Sequence, residues 1–401
     1  MKNIVIYYLY SNKNAGDMAI CLGLLDLLKN YDDISITMVS RYTKNDVEYI
    51  NSKKLIEKYH PTVNVVPGYI PFDRSSNKIR RLFSYIYGGI ISVFPFLNRR
   101  IKQDLKDADV VFLNGGNFMR CNSFADASRL RAFFIPLKIA KKQKKPIICL
   151  PQSTAKTEKN KYFKQLKKYF NIFDAVFARE NISYEYLLEN KIVEKEKLTL
   201  ACDLAFFSKK SILDKKYKKD AQYNSYVGFN MRLTGIGDIG QLSTEQIAHI
   251  FNFYKTLVIN NKNVHFTLIC QTKKDYESMK NLYDELITMN IKNIAFVENY
   301  DAYELKGIFE QLDLLISMRL HASILAISSG TNVVGFTFEE WGFKNAGILK
   351  QFSMTNYSTG DDILANIDFK ELPKNKSDVI YKQISSLETI ILEKLKPFLS
   401  I

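Results

Sequence analysis

The hexapeptide Ser317-Met318-Arg319-Leu320-His321-Ala322 ends one apolar run and opens a second run of small residues. That pattern predicts a buried strand giving way to a polar turn and a helix. Arg319 and His321 are two apart, so in an extended turn they face the same side. His321 would then stand at a helix N-terminus, where the dipole favours a bound anion. A guanidinium holds carboxylate or phosphate, and an imidazole moves protons near neutral pH. The pair therefore reads as acid–base chemistry on an anionic substrate. The plainer alternative for an isolated histidine is a packed core residue.

Ligands of open α/β sheets sit beyond the carboxyl ends of the strands, so the residues after each apolar run are the next candidates. After the first run come Asn14, Gly16 and Asp17. Gly16 permits a tight turn or a close approach. Asp17 serves as a base or as the N-cap of the following helix. The loop lacks GxGxxG, so no dinucleotide site is indicated. Gly115 and Gly116 either offer backbone N–H groups to an anion or make a plain turn. Gln152 follows the run Ile147 to Leu150. Arg179 suits a carboxylate or phosphate, with an Arg179–Glu180 ion pair as the structural alternative. Arg232, Gln271 and Ser317 close strands of the second half. Lys344 is an anion ligand or an ordinary surface lysine.

What must position these residues is an alternation of short apolar runs and helical patterns, which reads as β-α units with parallel sheets. Strands are expected near 3–10, 34–39, 110–114, 146–150, 174–178 and 197–202, then near 226–231, 264–270, 294–297, 312–316 and 332–337. The chain of 401 residues thus divides into an N-terminal Rossmann-like domain (1–207), a Lys-rich linker (208–223), a C-terminal Rossmann-like domain (224–375) and a closing helix (376–401) stopped by Pro397. The fold class is α/β.

Composition narrows the partners. Lys and Arg total 57 against 42 Asp and Glu, a net +15. That excess calls for an anionic partner. No nucleic-acid signature accompanies it. Five dispersed Cys argue against a disulfide framework, and four dispersed His argue against zinc, so no metal is expected. The N-terminus runs straight into an apolar strand without a signal-peptide core, which points to a cytoplasmic protein. The apolar stretch 82–97, fenced by arginines, reads as a capping helix or as an insertion in a membrane interface. Residues 138–168 hold eleven lysines, a solvated helix face or a contact for an acidic surface.

Asn14-Ala15-Gly16-Asp17, Asn114-Gly115-Gly116, Pro151-Gln152-Ser153, Arg179-Glu180-x-x-Ser183, Cys202-Asp203-Leu204-Ala205-Phe206 and Ser317-Met318-Arg319-Leu320-His321-Ala322 occur in that order. Together they resemble the polysaccharide pyruvyl transferase family. The resemblance implies a glycosyltransferase-B-like pair of Rossmann-type domains. It also implies transfer of pyruvate from phosphoenolpyruvate to two hydroxyls of a sugar, forming a ketal and releasing phosphate, with no cofactor. The acceptor would be a saccharide of a surface polysaccharide or its lipid-linked precursor, reached from the inner face of the cell membrane. On that reading His321 is the general acid, Arg319 holds the phosphate, and Arg179, Arg232 and Lys344 are further ligands for the donor's charges. Two readings compete. One is a nucleotide-sugar-dependent glycosyltransferase, with Arg319 and Lys344 on the diphosphate and Glu339 or Glu340 on the ribose. The other is a non-catalytic module that binds a membrane surface.

Overall fold

The apolar run at the start of the chain forms β1 (Lys2–Leu9), which is buried from Ile4 onward and paired in parallel on both sides. A strand covered on both faces reads as a continuous apolar run rather than an alternation. The computed structural model describes residues 1–69, 86, 90, 99–154, 156–208, 222–233, 242–338, 344–372 and 377–400. Most of the 82–97 insertion, most of the 208–223 linker, and Glu339, Glu340 and Trp341 lie outside the described residues.

After β1 come α1 (Ala15–Leu28), β2 (Ile34–Ser40), α2 (Val47–Tyr59), β3 (Asn64–Val66), α3 (Arg99–Asp104) and β4 (Val110–Leu113). Then follow α4 (Phe124–Lys142), β5 (Ile147–Gln152), α5 (Asn160–Phe170), β6 (Ala175–Ala178), α6 (Asn181–Glu189) and β7 (Leu198–Leu200). These strands make a seven-stranded parallel sheet in the order β3-β2-β1-β4-β5-β6-β7. Helix α1 is apolar all round, and from Met18 to Leu28 its apolar residues are buried.

The second half repeats the plan with β8 (Ser225–Asn230), α7 (Thr244–Asn260), β9 (Val264–Cys270), α8 (Tyr276–Thr288), β10 (Ile294–Glu298), α9 (Ala302–Phe309), β11 (Leu314–Ser317) and α10 (Leu320–Ile327). It ends with β12 (Asn332–Phe336), α11 (Lys344–Gln351), β13 (Thr355–Tyr357), α12 (Gly360–Asn366) and α13 (Ser377–Leu399). Its six strands are parallel in the order β10-β9-β8-β11-β12-β13. Phe229, Tyr254 and Phe336 stand at the centre of its core, with the Phe229 and Tyr254 rings stacked 4.4 Å apart. Burying each such ring contributes roughly 2–3 kcal/mol.

Every strand expected from the sequence is present. β3 and β13, three residues each at sheet edges, were not expected: Pro67 cuts the β3 run to two valines, and Thr355-Asn356-Tyr357 holds no aliphatic residue. Pro397 does not stop α13, which runs on to Leu399. Ile391, Leu395 and Leu399 recur every fourth residue and are all buried, so packing of the last turn outweighs the hydrogen bond that proline removes. Contacts divide the chain into two units. One comprises Met1–Asn12, Ile20–Leu204 and Leu387–Ile401; the other comprises Lys13–Ala19 and Ala205–Ser386.

Candidate functional site

In the second unit, the turn after β11 is built by two polar side chains. Asn230, at the end of β8, accepts the Met318 N–H at 3.0 Å. The Ser317 hydroxyl donates to the Arg319 carbonyl at 2.9 Å and accepts the Arg319 N–H at 3.2 Å. Ser317 and Asn230 are both about 1% exposed, so this polar scaffold is fixed within the core. Arg319 is the N-cap of α10, and His321 falls in its first turn.

The Arg319 side chain is held by a partner that sequence alone did not assign. Its guanidinium forms a two-pronged pair with Asp275, Nε lying 2.7 Å from one carboxylate oxygen and an Nη donating to the other. Such pairing fixes the plane of the guanidinium. Asp275 is the N-cap of α8, yet it makes no side-chain capping bond there. Arg232, two residues past β8, shares this neighbourhood. Burial, then the charge of Arg319, push its guanidinium down to about 10, while Asp275 opposes the shift. Burial raises the Asp275 carboxyl above its usual range, against the pull of Arg319 and Arg232. Arg319 is paired with Asp275, and the charge of Arg232 acts on the same carboxylate.

The first loop of the chain docks beside this cluster. Asn14 bridges to Thr272, and the Ala15 N–H donates to the Gln271 carbonyl at 3.1 Å. Asn14 precedes α1, and its side chain accepts the Gly16 N–H at 3.1 Å. Asn14, not Asp17, thus caps the helix, and Asp17 lies in its first turn. The Asp17 carboxylate stands 4.0 Å from His321 Nδ1. A Cβ on Gly16 would stand 2.6 Å from His321 Cγ and 2.7 Å from its Nδ1. Gly16 is therefore required for the close approach of helix α1 to the imidazole. Gln271 is 2% exposed, and its side-chain oxygen is buried without a hydrogen-bond partner.

The first unit collects other motifs. Gly115 donates its N–H to Asn114 Oδ1 at 2.8 Å, and Gly116 donates to the Pro151 carbonyl at 2.9 Å. Both N–H groups are thus bonded inside the chain, which is the plain-turn arrangement. Gly116 has φ +127°, and a Cβ there would overlap the Tyr10 hydroxyl. Gln152 accepts the Phe118 N–H at 2.9 Å and donates to the Asn114 carbonyl.

Arg179 is 3% exposed and pairs with Asp203 at 2.6 Å, its Nε donating to Ser153 Oγ, also at 2.6 Å. Glu180 accepts from the Ser153 and Ser183 hydroxyls, and Ser183 accepts the Thr154 N–H. The structural pair of Arg179 is therefore with Asp203 rather than with its chain neighbour. Adjacent residues leaving a strand project to opposite sides. Lys344 is the first residue of α11, in the second unit.

Two parallel sheets flanked by helices, with polar side chains gathered at the carboxyl ends of the strands, define two Rossmann-like domains of the glycosyltransferase-B-like class. The sequence profile described as polysaccharide pyruvyl transferase matches residues 14–339, and the chain belongs to that family. The family indicates a transferase acting on polysaccharides. No curated protein matches the sequence significantly.

Solved structures agree on the fold. The Anabaena protein HepE, in complex with UDP and glucose, aligns with TM-score 0.55 at 13% identity over 99% of both chains. The UDP-GlcNAc 2-epimerase of Neisseria meningitidis, bound to UDP-GlcNAc, aligns with TM-score 0.59 at 12% identity over 98% of this chain and 99% of that one. The same enzyme from Methanocaldococcus jannaschii aligns with TM-score 0.59 at 13% identity over the same shares.

Proposed function

We propose that the protein transfers pyruvate from phosphoenolpyruvate to two hydroxyls of a sugar, in a surface polysaccharide or its lipid-linked precursor, and releases phosphate. The observation that carries this reading is the juxtaposition of Arg232, Arg319 and Asp275 with His321 in the first turn of α10. The donor bears a carboxylate and a phosphate on one enol carbon. Its two anionic groups suit the guanidiniums of Arg319 and Arg232.

In this mechanism His321 gives a proton to the methylene carbon, which becomes a methyl group and leaves the central carbon electrophilic. One sugar hydroxyl adds there and loses its proton. The bond to phosphate breaks, and the second hydroxyl closes the ketal and loses its proton in turn. Of the two hydroxyl protons, one restores His321 with Asp17 as the nearby acceptor, and the other leaves with the phosphate. Arg319 and Arg232 stabilise the departing phosphate. Arg179, already committed to Asp203 and Ser153, acts as a positioning residue, and Lys344 as an outer ligand for the donor.

The UDP and UDP-sugar complexes of proteins with this fold favour one competing reading, transfer from a nucleotide sugar. Thermal-shift measurements separate the two. Stabilisation by phosphoenolpyruvate but not by UDP-sugars, phosphate release in the presence of an acceptor, and a pyruvate mass added to that acceptor are expected. Stabilisation by UDP-sugars alone would refute the proposal.

A further inference from the structure

Residues 138–168 contain eleven lysines and one acidic residue, Glu158. Helices α4 and α5 carry most of them. Each helix follows one strand of the first sheet and leads to the next strand in the same direction, so right-handed crossovers place both on one face of that sheet. They pack directly together. The Phe134 and Tyr169 rings lie 4.3 Å apart, and Gln165 donates to the Ala127 carbonyl at 3.3 Å.

Their outer surfaces form one cationic face. Phe124, Arg131, Lys138 and Lys142 are exposed and recur at spacings that align along a single stripe of α4. Lys161, Lys164 and Lys168 make the matching exposed stripe of α5. The Lys138 ammonium lies 5.0 Å over the Tyr169 ring and so joins the two stripes. Burial, then the charges of Lys168, Arg131 and Lys142, push Lys138 down from the ordinary lysine range. Those cations therefore crowd one another across both helices. Lys141 points aside and pairs with Asp174 at 2.9 Å.

Crowded like charges repel unless an anionic surface neutralises them. Aromatic side chains are interleaved with the cations. Phe124 is 76% exposed at one end of the α4 stripe, and Tyr162 and Phe163 lie half-buried among the α5 lysines. Long ammonium side chains with rings at their base suit the headgroup layer of a bilayer. We propose that the face formed by α4 and α5 docks the protein on a membrane surface rich in anionic phospholipid headgroups. The inference stands apart from the donor chemistry, because none of its residues belongs to the Arg232–Arg319–His321 cluster.

The test is co-sedimentation of the full chain with vesicles of phosphatidylglycerol in phosphatidylcholine, against phosphatidylcholine alone. Binding to the anionic vesicles only, weakened by salt, is expected. The K161Q/K164Q/K168Q variant should bind on the order of 100-fold more weakly, roughly fivefold per lysine. Its thermal stabilisation by phosphoenolpyruvate should be unchanged. Should that variant not fold, Lys164→Gln alone and the salt dependence of the unaltered protein report on the same face. Equal vesicle binding by parent and variant overturns the proposal. So does capture by a soluble polyanion such as heparin without binding to anionic vesicles. A failure of phosphate release would count against the donor reaction and leave this result untouched.

Discussion

Gly16 and His321 are in such close approach that a single methyl group on the glycine would overlap the imidazole side chain. The relationship is one of space, since Gly16 does not adopt a positive φ. Gly16→Ala should therefore displace His321 or the start of α1. A loss of at least tenfold in phosphate release is expected, with roughly 1–3 kcal/mol lost in stability. In a His321→Ala background the same exchange should cost much less, because the overlapping ring is gone. Urea unfolding of the four proteins in this cycle measures the coupling.

His321 and Asp17 should separate in kinetics. His321→Ala is expected to abolish phosphate release while thermal stabilisation by phosphoenolpyruvate persists through Arg319 and Arg232. Asp17→Asn keeps the shape of the side chain and removes its charge. It should lower kcat with little change in KM for the donor. A His321→Ala protein that turns over at the parent rate while folded would remove the acid role.

The two sheets were legible because each inner strand is a bounded apolar run followed by a helical pattern. The edge strands β3 and β13 were not, since Pro67 leaves β3 only two valines and β13 holds no aliphatic residue. Arg319 and His321 stood out by their place at a strand end. Their partners did not, because Asp275 is 44 residues from Arg319, and only the stacking of β8, β9 and β11 brings it near. The glycine at position 16 read as a turn or ligand approach, whereas its neighbour is the catalytic candidate itself. Arg179 read as an anion ligand or as a partner of Glu180, and its pairing with Asp203 was hidden because sequence displays adjacency and not projection.

Asp275 pairs with Arg319 and its charge also acts on Arg232, so its charge matters more than its hydrogen bonds. Asp275→Asn should lower stability by roughly 3 kcal/mol, since it removes the counter-charge of the partly buried Arg319. Phosphoenolpyruvate should then raise the melting temperature more in the variant than in the parent, because the ligand supplies the missing negative charge. Arg319→Ala should abolish the ligand-dependent shift.

All five cysteines are buried free thiols. Burial raises Cys121 and Cys270 from 9.0 to about 11, and raises Cys149 and Cys202 further. A raised acid keeps its proton in the folded chain after the unfolded chain has lost it. Its contribution is complete below about pH 9 and is lost as pH rises toward about 11. Stability from urea melts should accordingly fall across that window. Replacing Cys121 and Cys270 by Ala should flatten the alkaline limb, whatever it costs near neutrality.

The Arg179–Asp203 pair tests whether a charged side chain at a strand end serves the fold or the substrate. Arg179 is 3% exposed and Asp203 1% exposed, with Ser153 sharing the guanidinium. Removing one partner strands the other in low dielectric, so Arg179→Met should cost roughly 3–5 kcal/mol. Replacing both, as Arg179→Met with Asp203→Leu, removes the stranded charge and should recover most of that loss. Were Arg179 a donor ligand instead, the double variant would regain stability and still show no stabilisation by phosphoenolpyruvate. With a positioning role, the ligand-dependent shift returns with the fold. Thermal melts of the single and double variants, each with and without the donor, decide between these outcomes.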